Sequence, residues 1–188
     1  MSLEEKNKRT AGANNAGNNK NAAQDEFAET VLNVRRVAKV IKGGRRFAFS
    51  ALVVVGDRNG KVGIALGKSR EVASAISKAF RRARKNMVSV PRYKTTIPYT
   101  VLGKHGASNV IIRSASKGTG IIAGGAVRAV MEAVGIHDVL AKSLGAANPQ
   151  NVVKATFDAL RKLKSAKQVA EMRGKKLSDL FGENNVRA

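Results

Sequence analysis

The clearest pattern of apolar and polar positions lies over residues 46–69, which read RFAFSALVVVGDRNGKVGIALGKS. Every second residue from Phe47 to Val55 is apolar, and this alternation predicts a half-buried β-strand. The turn residues Asp57–Gly60 follow, and a second alternating run from Val62 to Leu66 predicts the partner strand of a hairpin. The opposite face of that second strand is made of very small residues, which predicts a helix packed closely on it. These small residues are Gly63, Ala65 and Gly67.

The next element is a helix with two stripes. Apolar residues recur at helical spacing after Ser69, which we expect to cap the helix, with Glu71 in its first turn. The apolar stripe comprises Val72, Ile76, Ala79, Phe80, Ala83 and Met87. The second stripe is cationic, at spacings of three and four, and comprises Lys78, Arg81, Arg82 and Lys85. Like charges on one face repel each other, so an anion would stabilise them, although a solvated surface is the plainer alternative.

A glycine pair interrupts a cationic stretch upstream, where residues 39–49 read KVIKGGRRFAF. The β-branched residues of 31–41 favour a strand over the helix that their spacing also allows. Gly43-Gly44 permits positive φ and predicts the tip of a hairpin. That tip is either a solvated loop or a probe that reaches an anion. Its three cations are Lys42, Arg45 and Arg46.

The rest of the chain divides into a tail, a linker and a second domain. Residues 1–27 have no periodic apolar face and are predicted to be disordered, so the first domain spans 28–90. Two prolines mark a linker over 91–99. A second domain over 100–165 follows, and a charged segment over 166–188, with a short helix near LSDLFG, ends the chain.

The second domain reads as β-α-β-α. Its predicted elements are a strand over 109–113, a Gly-rich loop over 117–125, a helix over 126–134, a strand or irregular segment over 135–145, and a final helix. Asn148 is the expected cap of that final helix and Pro149 its first residue. Its buried face comprises Val152 or Val153, Thr156, Leu160 and Leu163, with Lys154, Asp158 and Arg161 on the opposite face.

The net charge of the chain narrows the classes of partner that it is expected to bind. The chain has 35 Lys and Arg against 13 Asp and Glu, a net charge of +22. Residues 31–90 carry a net charge of +13 and residues 91–165 a net charge of +8, whereas residues 1–30 carry −1. Because the positive charge belongs to the folded body, we expect a structured polyanion as partner. With 6 Phe, 2 Tyr and no Trp, recognition would depend on phosphate charge more than on base stacking.

Several classes of site are excluded by composition. The absence of cysteine excludes disulfides, thiolate zinc sites and a cysteine nucleophile. No apolar run reaches the roughly 20 residues that span a bilayer, and the N-terminus MSLEEKNKRTAG lacks a signal core. We therefore expect a soluble intracellular protein with no membrane partner.

Two glycine-rich stretches resemble nucleotide sites. GIALGKS at 63–69 fails as a phosphate-binding loop because Val62 stands where the first Gly is needed. GTGIIA at 118–123 fits the dinucleotide fingerprint, with Asp138 placed 20 residues after Gly118. A dinucleotide fold, however, needs more parallel strands than this half of the chain supplies. The same glycines could instead present backbone N–H groups to an RNA phosphate.

The two histidines give no metal site by themselves. We expect His105 in a loop near an anion and His137 as a packed or capping residue. No nucleophile with its base and no paired carboxylates stand out, so the sequence predicts no catalytic residue, no metal and no cofactor.

Two long runs carry a resemblance to a known family. They read VIKGGRRFAFSALVVVGDRNGKVGIALGKSREVASAISKAFRRARKN and GTGIIAGGAVRAVMEAVGIHDVLAKSLGAANPQNVVKATFDAL, and they closely resemble bacterial-type small-subunit ribosomal protein number five. The resemblance covers residues 30–165 and leaves out the N-terminal tail. Ser114 stands where the family has a proline, which affects only the local loop.

The resemblance implies an α+β fold of two small α/β domains, first a variant of the double-stranded-RNA-binding domain and then a sheet backed by helices. It implies a structural, non-enzymatic component of the small ribosomal subunit that binds ribosomal RNA on the cytoplasmic ribosome. In this family the opening hairpin enters ribosomal RNA near the neck of the subunit, close to where spectinomycin acts. The residues that we expect to bind RNA are Arg35, Arg36, Lys39, Lys42, Gly43, Gly44, Arg45, Arg46, Arg58, Lys61, Lys68, Arg70, Lys78, Arg81, Arg82, Lys85, Lys104, His105 and Lys117.

The resemblance also implies further partners. The face around Gly124, Gly125 and Arg128 is expected to pack against small-subunit ribosomal protein number four, at a surface linked to decoding accuracy. Contact with protein number eight of the same subunit is expected too. The family lies where messenger RNA enters the subunit and is associated with unwinding structured messenger.

Residue chemistry alone leaves three classes of function open. The first is a structural component of the small ribosomal subunit, and the second is an enzyme that uses GTGIIA on a nucleotide. The third is a double-stranded-RNA-binding regulator that works away from the ribosome.

Overall fold

The computed structural model describes residues 27–177, which form two four-stranded sheets and four helices. The fold is α+β, as the sequence predicts. The predicted disorder of the N-terminal tail and the predicted short helix near LSDLFG fall almost wholly outside the described residues.

The first half of the described chain forms an antiparallel sheet with one helix. Its elements are β1 (Ala28–Ile41), β2 (Gly44–Gly56), β3 (Lys61–Ser69), α1 (Val72–Lys85) and β4 (Met87–Ser89). The strand order is β1-β2-β3-β4. Two successive hairpins, β1–β2 and β2–β3, confirm the strand that β-branched residues predict before the glycine pair and the two strands that alternation predicts around the Asp57–Gly60 turn.

Helix α1 packs on β3 through alanines, two of which, Ala79 and Ala83, belong to the predicted apolar stripe. Ala75, Ala79 and Ala83 are fully buried, whereas Val72 is 38% exposed and Met87 lies in β4. A Cβ added to Gly67 would stand 2.1 Å from the carbonyl oxygen of Ala75. The small face of β3 therefore brings the helix backbone onto the strand, as predicted, and leaves room only for methyl groups between them.

The start of α1 differs from the prediction. Ser69 is the last residue of β3, where it pairs with Phe49, so it does not cap the helix. Glu71, expected in the first turn, is itself the N-cap residue. Its carboxylate accepts a hydrogen bond from Ser74 Oγ at 3.2 Å and caps no backbone N–H.

The second half forms a mixed sheet with three helices. Its elements are β5 (Val101–His105), β6 (Ser108–Ser114), β7 (Ile121–Ile122), α2 (Gly125–Val134), β8 (Val139–Gly145), α3 (Pro149–Lys162) and α4 (Ala166–Arg173). The strand order is β5-β6-β8-β7, with only β7 and β8 parallel.

This half contains more elements than the predicted β-α-β-α. The prediction misses β5 and β7, because glycine and cations break the alternation of β5 and β7 is two residues long. It also misses α4, whose capping box of Ser165 and Gln168 is legible in the sequence. The start of α3 is confirmed, since Asn148 Oδ1 accepts the Gln150 N–H at 3.3 Å and Pro149 is the first helical residue.

The two sheets share one hydrophobic core. Leu52 and Val54 of β2 belong to the same buried cluster as Val130 of α2. Gly56 allows this contact, because a Cβ there would stand 2.0 Å from the carbonyl oxygen of Ala133. The sheet of the first domain is thus covered by α1 on one face and partly covered by the second domain on the other.

Hydrogen bonds fasten the two domains at the end of α2. Arg58 N–H donates to Ala133 O at 3.0 Å and Gly60 N–H donates to Val134 O at 3.0 Å, so the β2–β3 turn caps the helix. The Arg92 guanidinium donates to the carbonyl oxygens of Arg58 and Gly135, at 3.1 and 3.2 Å. The segment between the domains is therefore held by backbone groups of both.

Candidate nucleic-acid interface

The β1–β2 hairpin extends beyond its sheet as a two-stranded ribbon. β3 stops pairing with β2 at Phe49, and five further β1–β2 pairs, from Val37↔Ala48 to Ile41↔Gly44, have no third strand beside them. At about 3.3 Å per residue, the ribbon projects roughly 15 Å. Every residue from Arg35 to Phe47 is exposed, so the projection carries no hydrophobic core of its own.

The ribbon carries cations on both faces. Alternation along the paired strands places Arg35, Lys39 and Arg46 on one face and the other two arginines on the opposite face. The latter are Arg36 and Arg45. Lys39 lies directly opposite Arg46, and like charges in a cross-strand pair destabilise a hairpin by up to about 1 kcal/mol. An anion bound between the two side chains offsets this repulsion, so the charge arrangement of the ribbon favours anion binding.

One cation–π contact lies on the ribbon. The guanidinium of Arg36 stands 4.4 Å from the centroid of the Phe47 ring. Because this contact fixes the arginine over an exposed ring that is 48% accessible, the charge stays at the surface in a defined position.

The tip of the ribbon stands clear of the rest of the described protein. Lys42 and Gly43 form a two-residue turn between Ile41 and Gly44. Gly44 has φ +140°, a backbone conformation that favours glycine. No atom lies within 4 Å of a Cβ added to Gly43 or Gly44, so another molecule can approach this backbone closely.

The cationic stripe of α1 forms a second charged surface. All four of its residues are exposed, and they line, with Lys68, an open cavity of about 700 Å³. Arg82 also donates to the carbonyl oxygen of Leu66 at 3.0 Å, which positions its side chain beside β3. Arg84 lies outside the stripe and pairs with Glu29 at 2.6 Å.

The remaining predicted RNA-binding residues are exposed but scattered. Arg58 and Lys61 lie at the β2–β3 turn, at the opposite end of β2 from the ribbon tip. Arg70 follows β3, Lys104 and His105 end β5, and Lys117 lies in the Gly-rich loop. Arg58 has φ +55° and already uses its backbone N–H and carbonyl in the contact between domains.

The fingerprint GTGIIA is a structural loop and not a phosphate cradle. Oδ1 of Asp138 accepts the N–H of Gly118 at 2.9 Å and the N–H of Gly120 at 3.0 Å. The two glycine amides that would meet a phosphate are therefore occupied by a carboxylate of the same chain. Strand β7 separates the glycines from α2, whose N-cap is Gly124, so the loop does not open directly into the helix.

The pKa of Asp138 is lowered below its ordinary value. The hydrogen bond from the Thr95 side chain is the largest cause, followed by the N–H of Gly120, and together with Gly118 and the nearby His137 these outweigh the opposing desolvation. The carboxylate is 4% exposed and stays ionised while it holds the loop.

The predicted protein-partner face forms an accessible surface at the start of α2. Among residues 27–177, no atom lies within 4 Å of a Cβ added to Gly124 or Gly125. Arg128 is exposed and donates to the carbonyl oxygen of Ile121 at 3.3 Å, which holds its side chain against β7.

Two further predictions concern histidine and metal. His137 is exposed, so its expected packing is wrong; its backbone N–H donates to Thr95 O at 2.9 Å. His105 ends β5 and is also exposed. Within residues 27–177 no group of three or more His, Asp or Glu side chains could hold a metal ion, and no helix is long and apolar enough to cross a membrane.

The sequence prediction leaves out two cations of α3 that stand near predicted ones. Lys154 and Arg161 line a cavity of about 630 Å³ together with Lys104 and His105. The sequence places both residues opposite the buried face of α3. That position predicts that they are exposed, but it does not identify the residues that lie near them in space.

Comparison with known proteins identifies the family. The model of the ribosomal protein S5 N-terminal domain matches residues 27–91, and that of the C-terminal domain matches residues 103–173. A small ribosomal subunit protein uS5 of Syntrophobacter fumaroxidans is 52% identical over 159 residues, which cover 85% of this chain and 96% of that protein. The protein of the same name from Lawsonia intracellularis is 57% identical over 151 residues, covering 80% and 93%. A third, from Gluconacetobacter diazotrophicus, is 53% identical over 171 residues, covering 90% and 89%. The chain therefore belongs to the ribosomal protein S5 family.

Proposed function

We propose that this chain is a structural RNA-binding component of the small ribosomal subunit, which acts on the cytoplasmic ribosome without catalysis or a cofactor. Its similarity to proteins named small ribosomal subunit protein supports the assignment. The observation that carries it is the exposed ribbon, with a lysine opposite an arginine and no core beneath them. RNA phosphates around such a ribbon offset the repulsion between its cations and stabilise it.

The mechanism is neutralisation of phosphates by fixed cations. The ribbon inserts between RNA segments, because cations on both faces and at the tip can meet phosphates on either side. The stripe of α1 contacts a second RNA surface, and the cations at the β2–β3 turn, at the end of β5 and in the Gly-rich loop contact others. Backbone and shape recognition suits this set, because few aromatic side chains are available for stacking.

The finer role includes protein neighbours and messenger RNA. The face around Gly124, Gly125 and Arg128 contacts small-subunit ribosomal protein number four and thereby affects decoding accuracy, and protein number eight is a second neighbour. Messenger RNA passes near the chain where it enters the subunit, and the exposed cations assist in unwinding it. The open surface at the start of α2 supports the first of these contacts, since a Cβ at either glycine would have no atom of the described chain within 4 Å.

Sedimentation of a tagged copy in lysate tests the proposal. We expect the protein to co-migrate with the small subunit at low salt and to remain there after a wash at about 1 M salt, which removes loosely held cationic proteins. Migration as a free protein of 20.0 kDa, or with RNA that is not ribosomal, would contradict the ribosomal role. The second outcome would favour the RNA-binding regulator.

A further inference from the structure

A continuous groove runs past the free edge of β3, between α1 of the first domain and α3 of the second. It consists of three adjoining cavities of about 60, 390 and 630 Å³. The first two share Leu52, Leu66 and Gln150, and the last two share Ile64, Asn86 and Lys154. The groove thus begins beside Arg35 at the base of the ribbon, passes between β3 and α3, and ends at His105.

The walls of this interdomain groove carry cations from both domains. The first domain contributes Arg35, Lys68, Lys78 and Arg82, and the second contributes Lys104, Lys154 and Arg161. Asp158 is the one carboxylate among the lining residues of the three cavities. Its charge is already used, because it pairs with Lys162 at 2.7 Å and accepts the N–H of Lys104 at 2.9 Å.

The lowered pKa of Asp158 keeps this carboxylate ionised, and its single negative charge acts on Lys162 and on the nearby Arg161. The hydrogen bond from Lys162 is the first cause that lowers its pKa, and the backbone N–H of Lys104 is the second. Among the cations of the groove only Arg82 has a hydrogen-bonded partner in the described chain, the carbonyl oxygen of Leu66. The excess of positive charge is therefore open to an external anion.

Free backbone along β3 adds hydrogen-bond donors. β4 pairs with β3 only at residues 61–63, so the edge from Ile64 to Ser69 has no partner strand within the described residues. Leu66 directs its carbonyl oxygen to this edge, where Arg82 binds it. In an antiparallel strand the N–H of the same residue points the same way, so the edge offers N–H groups beside the cations.

The two walls cannot move apart to relieve their repulsion. The domains share a core, and the β2–β3 turn caps α2 through two backbone hydrogen bonds. Lys78 and Lys154 line the same cavity of about 390 Å³ although they come from different domains. A bound anion lowers the electrostatic energy of this arrangement.

We propose that the interdomain groove binds the phosphate backbone of one RNA strand, held at once by Lys68 and Lys78 from the first domain and Lys154 and Arg161 from the second. The inference rests on the proposed RNA-binding function. The small cavity of about 60 Å³ beside Arg35 favours a single strand, because a double helix presents a broad convex surface. Arg35 belongs both to the groove and to a cationic face of the ribbon, so the same strand continues along Lys39 and Arg46.

Paired substitutions test the contribution of both walls. The full chain is titrated with a transcript of small-subunit ribosomal RNA over a range of salt concentrations. For Lys78→Ala with Lys154→Ala we expect about tenfold weaker binding and a salt slope lower by about two, one for each phosphate contact. The control is Lys142→Ala with Lys167→Ala, which removes equal charge from exposed positions on β8 and α4. Equal effects of the two pairs would overturn the groove as a site.

A thiol footprint locates the RNA. Because the chain has no cysteine, Gln150→Cys places one thiol in the groove and Lys142→Cys places one on the far face of the second sheet. We expect saturating ribosomal RNA to slow alkylation of the first by about tenfold and to leave the second unchanged. Unslowed alkylation of Gln150→Cys while RNA is bound would overturn the groove site and leave the proposed function standing.

Two other outcomes separate the causes of failure. If the unsubstituted chain fails to bind the transcript at any salt concentration, the proposed function and this inference fall together. If poly-glutamate protects Gln150→Cys and the transcript does not, the groove receives an acidic protein segment, and the RNA assignment is overturned.

Discussion

Asp138 holds Gly120 through a hydrogen bond of 3.0 Å between its carboxylate Oδ1 and the glycine N–H, and the same oxygen also binds the N–H of Gly118. The spacing of a dinucleotide fingerprint is thus produced by a loop that binds its own acidic residue. An acid 20 residues after a glycine serves here to close the loop, where in a nucleotide site it would bind ribose.

Asp138→Asn is expected to lower thermal stability in a pH-dependent way. The folded-state pKa of this carboxyl lies below its ordinary value of 3.8, so its ionised form stabilises the fold above about pH 4, and that contribution is lost as the pH falls through the folded-state pKa. The difference in melting temperature between the two proteins should therefore be largest near pH 7 and shrink toward pH 3. Asp158 titrates in the same direction in both proteins and cancels in the difference. A difference that stays constant with pH would show that the charge of Asp138 is not what matters.

Gly67→Ala is expected to destabilise the first domain by about 3 kcal/mol, since a Cβ there meets the Ala75 carbonyl at 2.1 Å and forces α1 away from β3. Urea unfolding monitored by circular dichroism measures the change. Gly43→Ala is the matched control, because nothing lies within 4 Å of a Cβ at that position. Similar unfolding midpoints for the two variants would be incompatible with the close packing of helix and strand.

Arg92→Ala is expected to lower the free energy of unfolding by about 1 kcal/mol, because its guanidinium bonds to carbonyl oxygens from both domains, at Arg58 and Gly135. Since the domains share a core, both proteins should unfold in one transition with the same urea dependence. Arg113→Ala removes an exposed arginine from β6 and serves as the control. Two separate transitions in the unsubstituted chain would contradict a shared core.

Arg45→Glu with Arg46→Glu is expected to weaken binding to small-subunit ribosomal RNA while leaving the isolated protein folded. Arg46→Glu places a carboxylate opposite Lys39, so the ribbon itself should gain up to about 1 kcal/mol in stability. Incorporation into reconstituted subunits and thermal unfolding of the free protein measure the two effects separately. Lys142→Glu with Lys167→Glu changes the net charge equally and is the control for long-range electrostatics.

One outcome would show that the cations of the ribbon do not bind RNA. If the ribbon variant folds normally and enters subunits as well as the unsubstituted chain, its cations do not contact RNA. If it fails to fold, the electrostatic account of the pair Lys39↔Arg46 is wrong instead.

Local sequence patterns were sufficient to predict those strands and helices whose pattern depends only on residues close together along the chain. The alternation around Phe47 to Leu66 predicts two strands, and the pair Asn148-Pro149 predicts the start of α3, because period and capping depend only on near neighbours. The excess of cations predicts a polyanionic partner for the same reason, since charge is a property of composition. The sequence analysis misses strand β5 because Gly103 has no side chain and interrupts the alternation. The glycine is nevertheless needed there, because α3 packs closely against the strand.

Contacts between distant residues could be decided only by the tertiary structure. The choice of alanines as the buried face of α1, the capping of α2 by the β2–β3 turn and the use of Asp138 within its own domain each depend on a partner far away along the chain. Lys78 and Lys154 illustrate the same limit, because each is an ordinary surface cation on its own helix and they share a cavity only after the domains pack. The sequence alone determined the elements and the sign of the partner's charge, whereas packing determined which cations act together, since Coulomb energy depends on distance in space.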